Sequence, residues 1–289
     1  MSAPRSTGLP GLDAQHDFQR ARRRASIARL VARLRGEPDD VGVVLPYEEV
    51  IAALGFVSEH RVGRTVVPLD AIVGSVDRGR DYDRRFRPTS GRTRGRWEQI
   101  AAAARRGESF PPIDALRVGE LYFVRDGHHR VSVARALGRN DIDAYVTEVV
   151  TRVDADRAMK LSDLPFKSHE RVFFERVPLP EEARSEIQLT DPWDFAVLAE
   201  AVEAWGFRAS QSRGDALRRR ETALLWLETE YRPAVALLRE LDLVGDATPT
   251  EAYMRIAAKR YRLLRTRDWS EEVLRQVMGD GSHRWLRRS

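Results

Sequence analysis

The chain contains no cysteine in its 289 residues. That removes disulfides, thiolate metal ligands and thiol nucleophiles from consideration. Lysine is almost missing as well. Lys160, Lys167 and Lys259 are the only lysines, so arginine supplies the rest of the 49 basic residues. No apolar run approaches the roughly 20 residues that a membrane-spanning helix needs. The opening stretch, MSAPRSTGLPGLDAQHD, has no apolar core of the signal-peptide kind. A cytoplasmic location with no membrane span is therefore expected. A uniformly basic coat is excluded too, because 44 acidic residues leave a net charge of only +5. Any basic footprint for nucleic acid has to be local.

The arginine that is there has a chemistry of its own. Its guanidinium fork grips phosphates and carboxylates bidentately. Arginines concentrate in two places, a first helix expected over about 17–35 and a polar stretch over 77–96. In the helix, Ile27, Leu30, Val31 and Leu34 recur at helical spacing and form one apolar stripe. Arg22, Arg23 and Arg24 lie off that stripe and are candidate phosphate contacts. In the second stretch Arg92, Arg94 and Arg96 are candidates of the same kind, and the loop from Arg78 to Arg96 as a whole could meet a phosphate backbone.

The order of elements is expected as follows. Residues 1–13, rich in Ser, Pro and Gly, read as unstructured. A short helix starts at Pro46 and stops at Gly55. Thr65–Pro68 reads as a strand, followed by Leu69–Val73 and a loop. A helix over about 94–105 carries Trp97, Ile100 and Ala104. Ile113–Val118 and Leu121–Val124 make a hairpin around Gly119-Glu120. A helix runs over about 129–137 to Gly138, and Ile142–Val149 is a closing strand. Residues 171–177 read as a further strand. Beyond Asp191 the pattern is wholly helical, with helices expected over 193–205, 215–241, 250–265 and 270–278. Thr248 or Thr250 caps the third of these, and the tryptophans read as core anchors. In domain terms this gives an extension over 1–60, a mixed domain over 61–150, a connector over 151–190 and a helical region over 191–289.

The most informative stretch is ELYFVRDGHHRVSVARALG, residues 120–138. A strand delivers the chain to Asp126-Gly127, and a helix opens at once. The first N–H groups of a helix have no intrahelical partner, and with the helix dipole they attract an anion. Gly127 leaves room for close approach of a ligand. His128, His129 and Arg130 add donors around the same point. Asp126 would repel a bare phosphate. It makes sense if it holds Mg²⁺ or accepts a proton from an attacking hydroxyl.

VPLDAIV at 67–73, the helix near 94–106, PPIDALRVGELYFVRDGHHRVSVARALG at 111–138 and DIDAYVTEV at 141–149 together resemble the ParB/sulfiredoxin superfamily. The stretches RDYDRRFRPTSGR and EAYMRIAAKRYRLLRTRDW resemble ParB-like proteins of actinobacteria. The resemblance implies an α+β domain of the ParB/sulfiredoxin kind, with an N-terminal helical extension and an all-α C-terminal region. It also implies that the box at 126–130 binds nucleotide phosphates.

The branches of that superfamily differ in the box. Sulfiredoxins carry a cysteine where this chain has His128, so thiol chemistry is excluded. Partition ParB proteins carry Gly-Glu-Arg-Arg and bind CTP, and Gly127-His128-His129-Arg130 departs from that pattern. The free-serine kinases that use ADP or ATP resemble this box in the acidic residue before Gly-His, which Asp126 matches. In that branch a further acidic residue acts as base, and Asp70 and Asp77 are the candidates here. The resemblance thus points to a nucleotide-binding, DNA-associated regulator using CTP or ATP/ADP. The alternative is a Mg²⁺-dependent phosphotransferase or nucleotide hydrolase. A homodimer is compatible with either.

Overall fold

The computed structural model describes residues 7–36, 42–77, 79–264 and 269–278. The chain divides into two compact units, Met1–Ser168 and His169–Ser289.

The first unit is built on a six-stranded mixed sheet in the order β1-β3-β5-β4-β6-β2. The chain enters through helix α1 (Pro10–Leu34), strand β1 (Leu45–Pro46), helix α2 (Tyr47–Leu54) and strand β2 (Phe56–Pro68). A single 3-10 turn, Leu69–Ala71, leads into β3 (Ile72–Ser75). Helix α3 (Arg94–Arg105), the hairpin β4 (Ile113–Val118) and β5 (Leu121–Asp126), helix α4 (His128–Ala136) and strand β6 (Asp141–Thr151) complete the unit. β5 runs parallel to β3 and antiparallel to β4, and β4 runs parallel to β6. Val67, Ile72, Ile113, Val124, Val131 and Ala144 form the core beneath α4.

Helix α1 begins at Pro10, inside the stretch expected to be unstructured, with proline at its first positions where a missing N–H costs nothing. Its packing face also differs from the expected one. Ile27, Leu30 and Leu34 are exposed, Leu34 by 79%. The buried side chains are Ala14, Phe18, Ala21 and Ala25, at the same helical spacing but earlier in the helix. Small residues let α1 approach α3 closely, and the Phe18 ring meets Trp97 edge-on at 5.5 Å. Asp17, also buried, is held by Arg105 of α3 at 2.6 Å.

β2 is far longer than expected. It pairs with β6 from Phe56↔Thr151 to Pro68↔Asp141. Its first half is exposed on an edge strand, Phe56, Val57 and Val62 included, so no buried-exposed alternation marks it in the sequence.

The boundary between the units falls in α5 (Leu164–Arg176). This helix replaces the strand expected over 171–177. Phe173, Phe174 and Val177 are buried at helical spacing, Pro165 occupies the first turn, and Arg171 pairs with Glu175 one turn on. The second unit continues through α6 (Glu181–Arg184), α7 (Asp194–Arg213), α8 (Arg219–Trp226), α9 (Arg232–Glu240), α10 (Pro249–Leu264) and α11 (Glu271–Met278). The single helix expected over 215–241 is α8 and α9 joined by a π-turn, Leu227–Tyr231. Pro233 follows at once and cannot donate to an ordinary α-helical bond. Thr248 is the residue that caps α10, accepting from Glu251 N while Glu251 accepts from Thr248 N. Trp226 is a core anchor as expected, but Trp193 is 68% exposed. Arg265, the expected end of that helix, lies outside the described residues.

Candidate functional site

Strand β5 carries Phe123 and Val124 into the core and ends at Asp126. The chain then turns on Gly127, at φ 103° and ψ 18°, and α4 begins at the next residue with no side chain capping it. The turn demands glycine twice over. The φ lies in the left-handed region, and a Cβ would sit 2.5 Å from Ile113 Cγ2 and 3.1 Å from Arg130 Cζ. Gly127 is buried, so its role is this packing beneath the turn.

The three residues after it are sorted by depth. His128 is 5% exposed and points into the fold, where Nε2 lies 2.8 Å from Ser75 Oγ of β3. Tyr82 and Phe86 stack against its ring, with centroids 6.4 and 6.2 Å away. The imidazole of His128, expected among the phosphate donors, is thus buried against Ser75, Tyr82 and Phe86. His129 is half-buried, with Nδ1 2.8 Å from Tyr82 Oη. Arg130 folds back over the turn. Nη1 donates to the carbonyls of Pro111 and Pro112 at 2.9 and 2.5 Å, and Nη2 meets Asp126 at 2.5 Å. Asp126 is 77% exposed, so this ion pair is worth only about 0–1 kcal/mol and opens readily.

The acidic candidates separate. Ser75 of β3 pairs with Val124 of β5 in parallel register, so Asp77 leaves the sheet at the same end as Asp126. Asp70 sits on the turn before β3, at the other end, near Arg135. The fold does not bring it to the turn at 126–130. Among the described residues no group of three or more His, Asp or Glu could hold a metal ion. Asp126 faces Arg130.

The arginine candidates are exposed. Arg94 is spent on Glu98 at 2.7 Å. Arg22, Arg23, Arg24, Arg92 and Arg96 make no ion pair among the described residues. Arg22 and the 90–96 stretch adjoin, since Arg22 Nη1 lies 3.9 Å from where a Cβ on Gly91 would be. Arg78 lies outside the described residues.

Sequence reasoning missed Ser75, Tyr82, Phe86 and the Pro111-Pro112 carbonyls. Tyr82 and Phe86 come from an arginine-rich loop and carry no periodicity. Phe86 even adopts a positive φ of 54°. That loop is pinned by Asp83, which accepts from the Arg85 and Arg87 N–H groups at 3.0 and 2.9 Å and from Arg87 Nε at 2.7 Å. Also missed was a wide cleft at the far end of α4, where Arg135 donates to the Ile72 carbonyl at 2.9 Å. Burial pushes the Arg135 guanidinium down to about 10, against the pull of Asp83 and Asp70.

No family model matches the chain, and no curated protein does. Among solved structures, two of a pNOB8-like ParB N-domain are similar at 15% identity with a TM-score of 0.22, each covering 80% of this chain. The C2221 form is covered over 98% of its length and the other over 91%. The TM-score is too low for the likeness to bear on fold or function.

Proposed function

We propose that the protein binds a nucleotide through its phosphates at the turn 126–130 and associates with nucleic acid. One observation carries the first part. Arg130, braced through Nη1 on two carbonyls, lies at an uncapped helix start with Nη2 turned to an exposed carboxylate. A phosphate can displace Asp126 and take a charge-assisted bond from Arg130 together with the dipole of α4. Gly127 shapes the turn, His129 flanks it from Tyr82, and His128 with Ser75 fixes the first turn from beneath. The nucleotide is CTP or ATP/ADP, and Mg²⁺ arrives on its phosphates. The exposed arginines at 22–24, 92 and 96 supply the nucleic-acid part. A homodimer fits this reading.

The reading makes Asp126 a competitor of the phosphate. Asp126→Asn should therefore tighten nucleotide binding several-fold in calorimetry, while Arg130→Ala should abolish it. The second reading, a nucleotide-dependent phosphotransferase or hydrolase, draws on Asp77 leaving the sheet beside Asp126. It requires phosphate release or transfer that is lost in Asp126→Asn and Asp77→Asn. Tighter binding without turnover would dismiss it.

A further inference from the structure

The wide cleft at the far end of α4 has a volume of about 1580 Å³. One wall is the second half of α1, and the other is formed by the start of the 69–71 turn and the loops at 138–141 and 157–160. Among the described residues, ten Lys and Arg side chains line it against three Asp, a net of +7, while the whole chain carries only +5. The cleft thus holds more positive charge than the entire molecule, and everything outside it sums to about −2.

Arg87 is paired with Asp83 across the cleft's own lining, and Arg157 faces Glu120, but three of the other cations are not used in this way. Arg29, Arg85 and Arg139 make no ion pair among the described residues, and the Arg139 guanidinium only lies over the Phe110 ring at 4.2 Å. Arg84 donates from Nη2 to the Met159 carbonyl at 2.6 Å, but its buried Nη1 has no hydrogen-bond partner. A buried donor left unmade is costly. Burial also pulls the Arg84 guanidinium down, and an arriving anion would reverse that.

The shape of the cleft selects among anions. Small-molecule pockets measure ~300–1,000 Å³, so this one is too large for a single phosphate group. It is concave, which a flat bilayer surface cannot enter. None of the described residues that line it is aromatic, and they offer charge for a backbone rather than rings for bases to stack on.

We infer that this cleft seats the phosphodiester backbone of single-stranded nucleic acid, bases outward and without sequence preference. The inference deepens the nucleic-acid part of the function proposed above and is independent of the nucleotide site at 126–130.

The test is fluorescence anisotropy on the full chain with a labelled single-stranded oligonucleotide across a salt series. Arg29→Ala/Arg85→Ala/Arg139→Ala is compared with Arg213→Ala/Arg220→Ala, two exposed positions outside the cleft, and with Arg130→Ala. Each backbone contact contributes about −0.7 to the slope of log K against log salt for a single strand. The cleft variant should bind at least about tenfold more weakly at low salt, with a slope shallower by about 2. The Arg213/Arg220 variant should be near wild type, and Arg130→Ala should keep the strand while losing nucleotide. An unchanged melting temperature shows that the cleft variant is folded. Equal losses in the cleft and Arg213/Arg220 variants, or equal or tighter binding of the matching duplex, overturn the assignment. Loss of the strand in Arg130→Ala alone would place the strand at the nucleotide site instead.

Discussion

Gly127 shows how much a single residue fixes. Its positive φ and the nearness of Ile113 leave no room for a Cβ. Gly127→Ala should destabilise the first unit by about 2–4 kcal/mol, the sum of backbone strain and overpacking. Urea unfolding measures this directly. Ser75→Ala tests a different link. It removes the 2.8 Å hydrogen bond between Ser75 and the buried His128, at a cost of about 0.5–1.5 kcal/mol. Nucleotide affinity should fall in proportion to the loosened turn, and a Ser75→Thr variant should retain more of it. Asp126 and Arg130 are less structural. Their pair is exposed on one side, so substitutions there should move binding far more than stability.

At the scale of elements, the box was legible in the sequence and its surroundings were not. Asp126-Gly127 between an apolar run and a helical one announces a strand, a turn and a helix, and β5, Gly127 and α4 follow that order. The hairpin at Gly119 and the helix α3 were equally plain, because periodicity and turn residues agree there. The packing of α1 was not. Its longest apolar stripe is exposed, while a run of alanines with Phe18 docks, because close approach favours small residues over large ones. Phe18→Ala should cost about 3–5 kcal/mol and expose α1 and α3 amides to hydrogen exchange. It should weaken nucleic-acid binding through the loss of one cleft wall and leave nucleotide binding in place. In α5, aromatic and β-branched residues suggested a strand, and burial at helical spacing overruled them.

The second unit carries its own pH dependence. Hydrogen bonds from the Thr190 hydroxyl, and then from Thr248 N, hold the Glu251 carboxyl below the usual carboxylate range. A carboxylate whose folded value is depressed contributes stability above its unfolded value, about 4.3, and loses it as pH falls through the folded value. Acid titration should therefore loosen the start of α10 below about pH 4, and Glu251→Gln should remove that part of the transition. Glu230 and Arg260 are a buried pair beside the π-turn. Removing one partner by Glu230→Gln should cost about 3–5 kcal/mol, visible in thermal unfolding.

Taken as a whole molecule, the first unit carries the two proposed anion sites at opposite ends of α4. The helix start at Gly127 offers its dipole and Arg130, and the far end collects the cations of α1, the 84–87 loop and Arg139. Charge is distributed accordingly, dense in one cleft and nearly balanced elsewhere. Abundant arginine is plain from composition, but where it gathers is not, since the cleft is assembled from segments far apart in the chain. The most direct test of the central claim is calorimetric titration of CTP, ATP and ADP, with Mg²⁺, into the wild-type chain and Arg130→Ala. Wild type should bind at least one nucleotide saturably, and Arg130→Ala should bind none at an unchanged melting temperature. No binding by wild type, or equal binding by both, would contradict it.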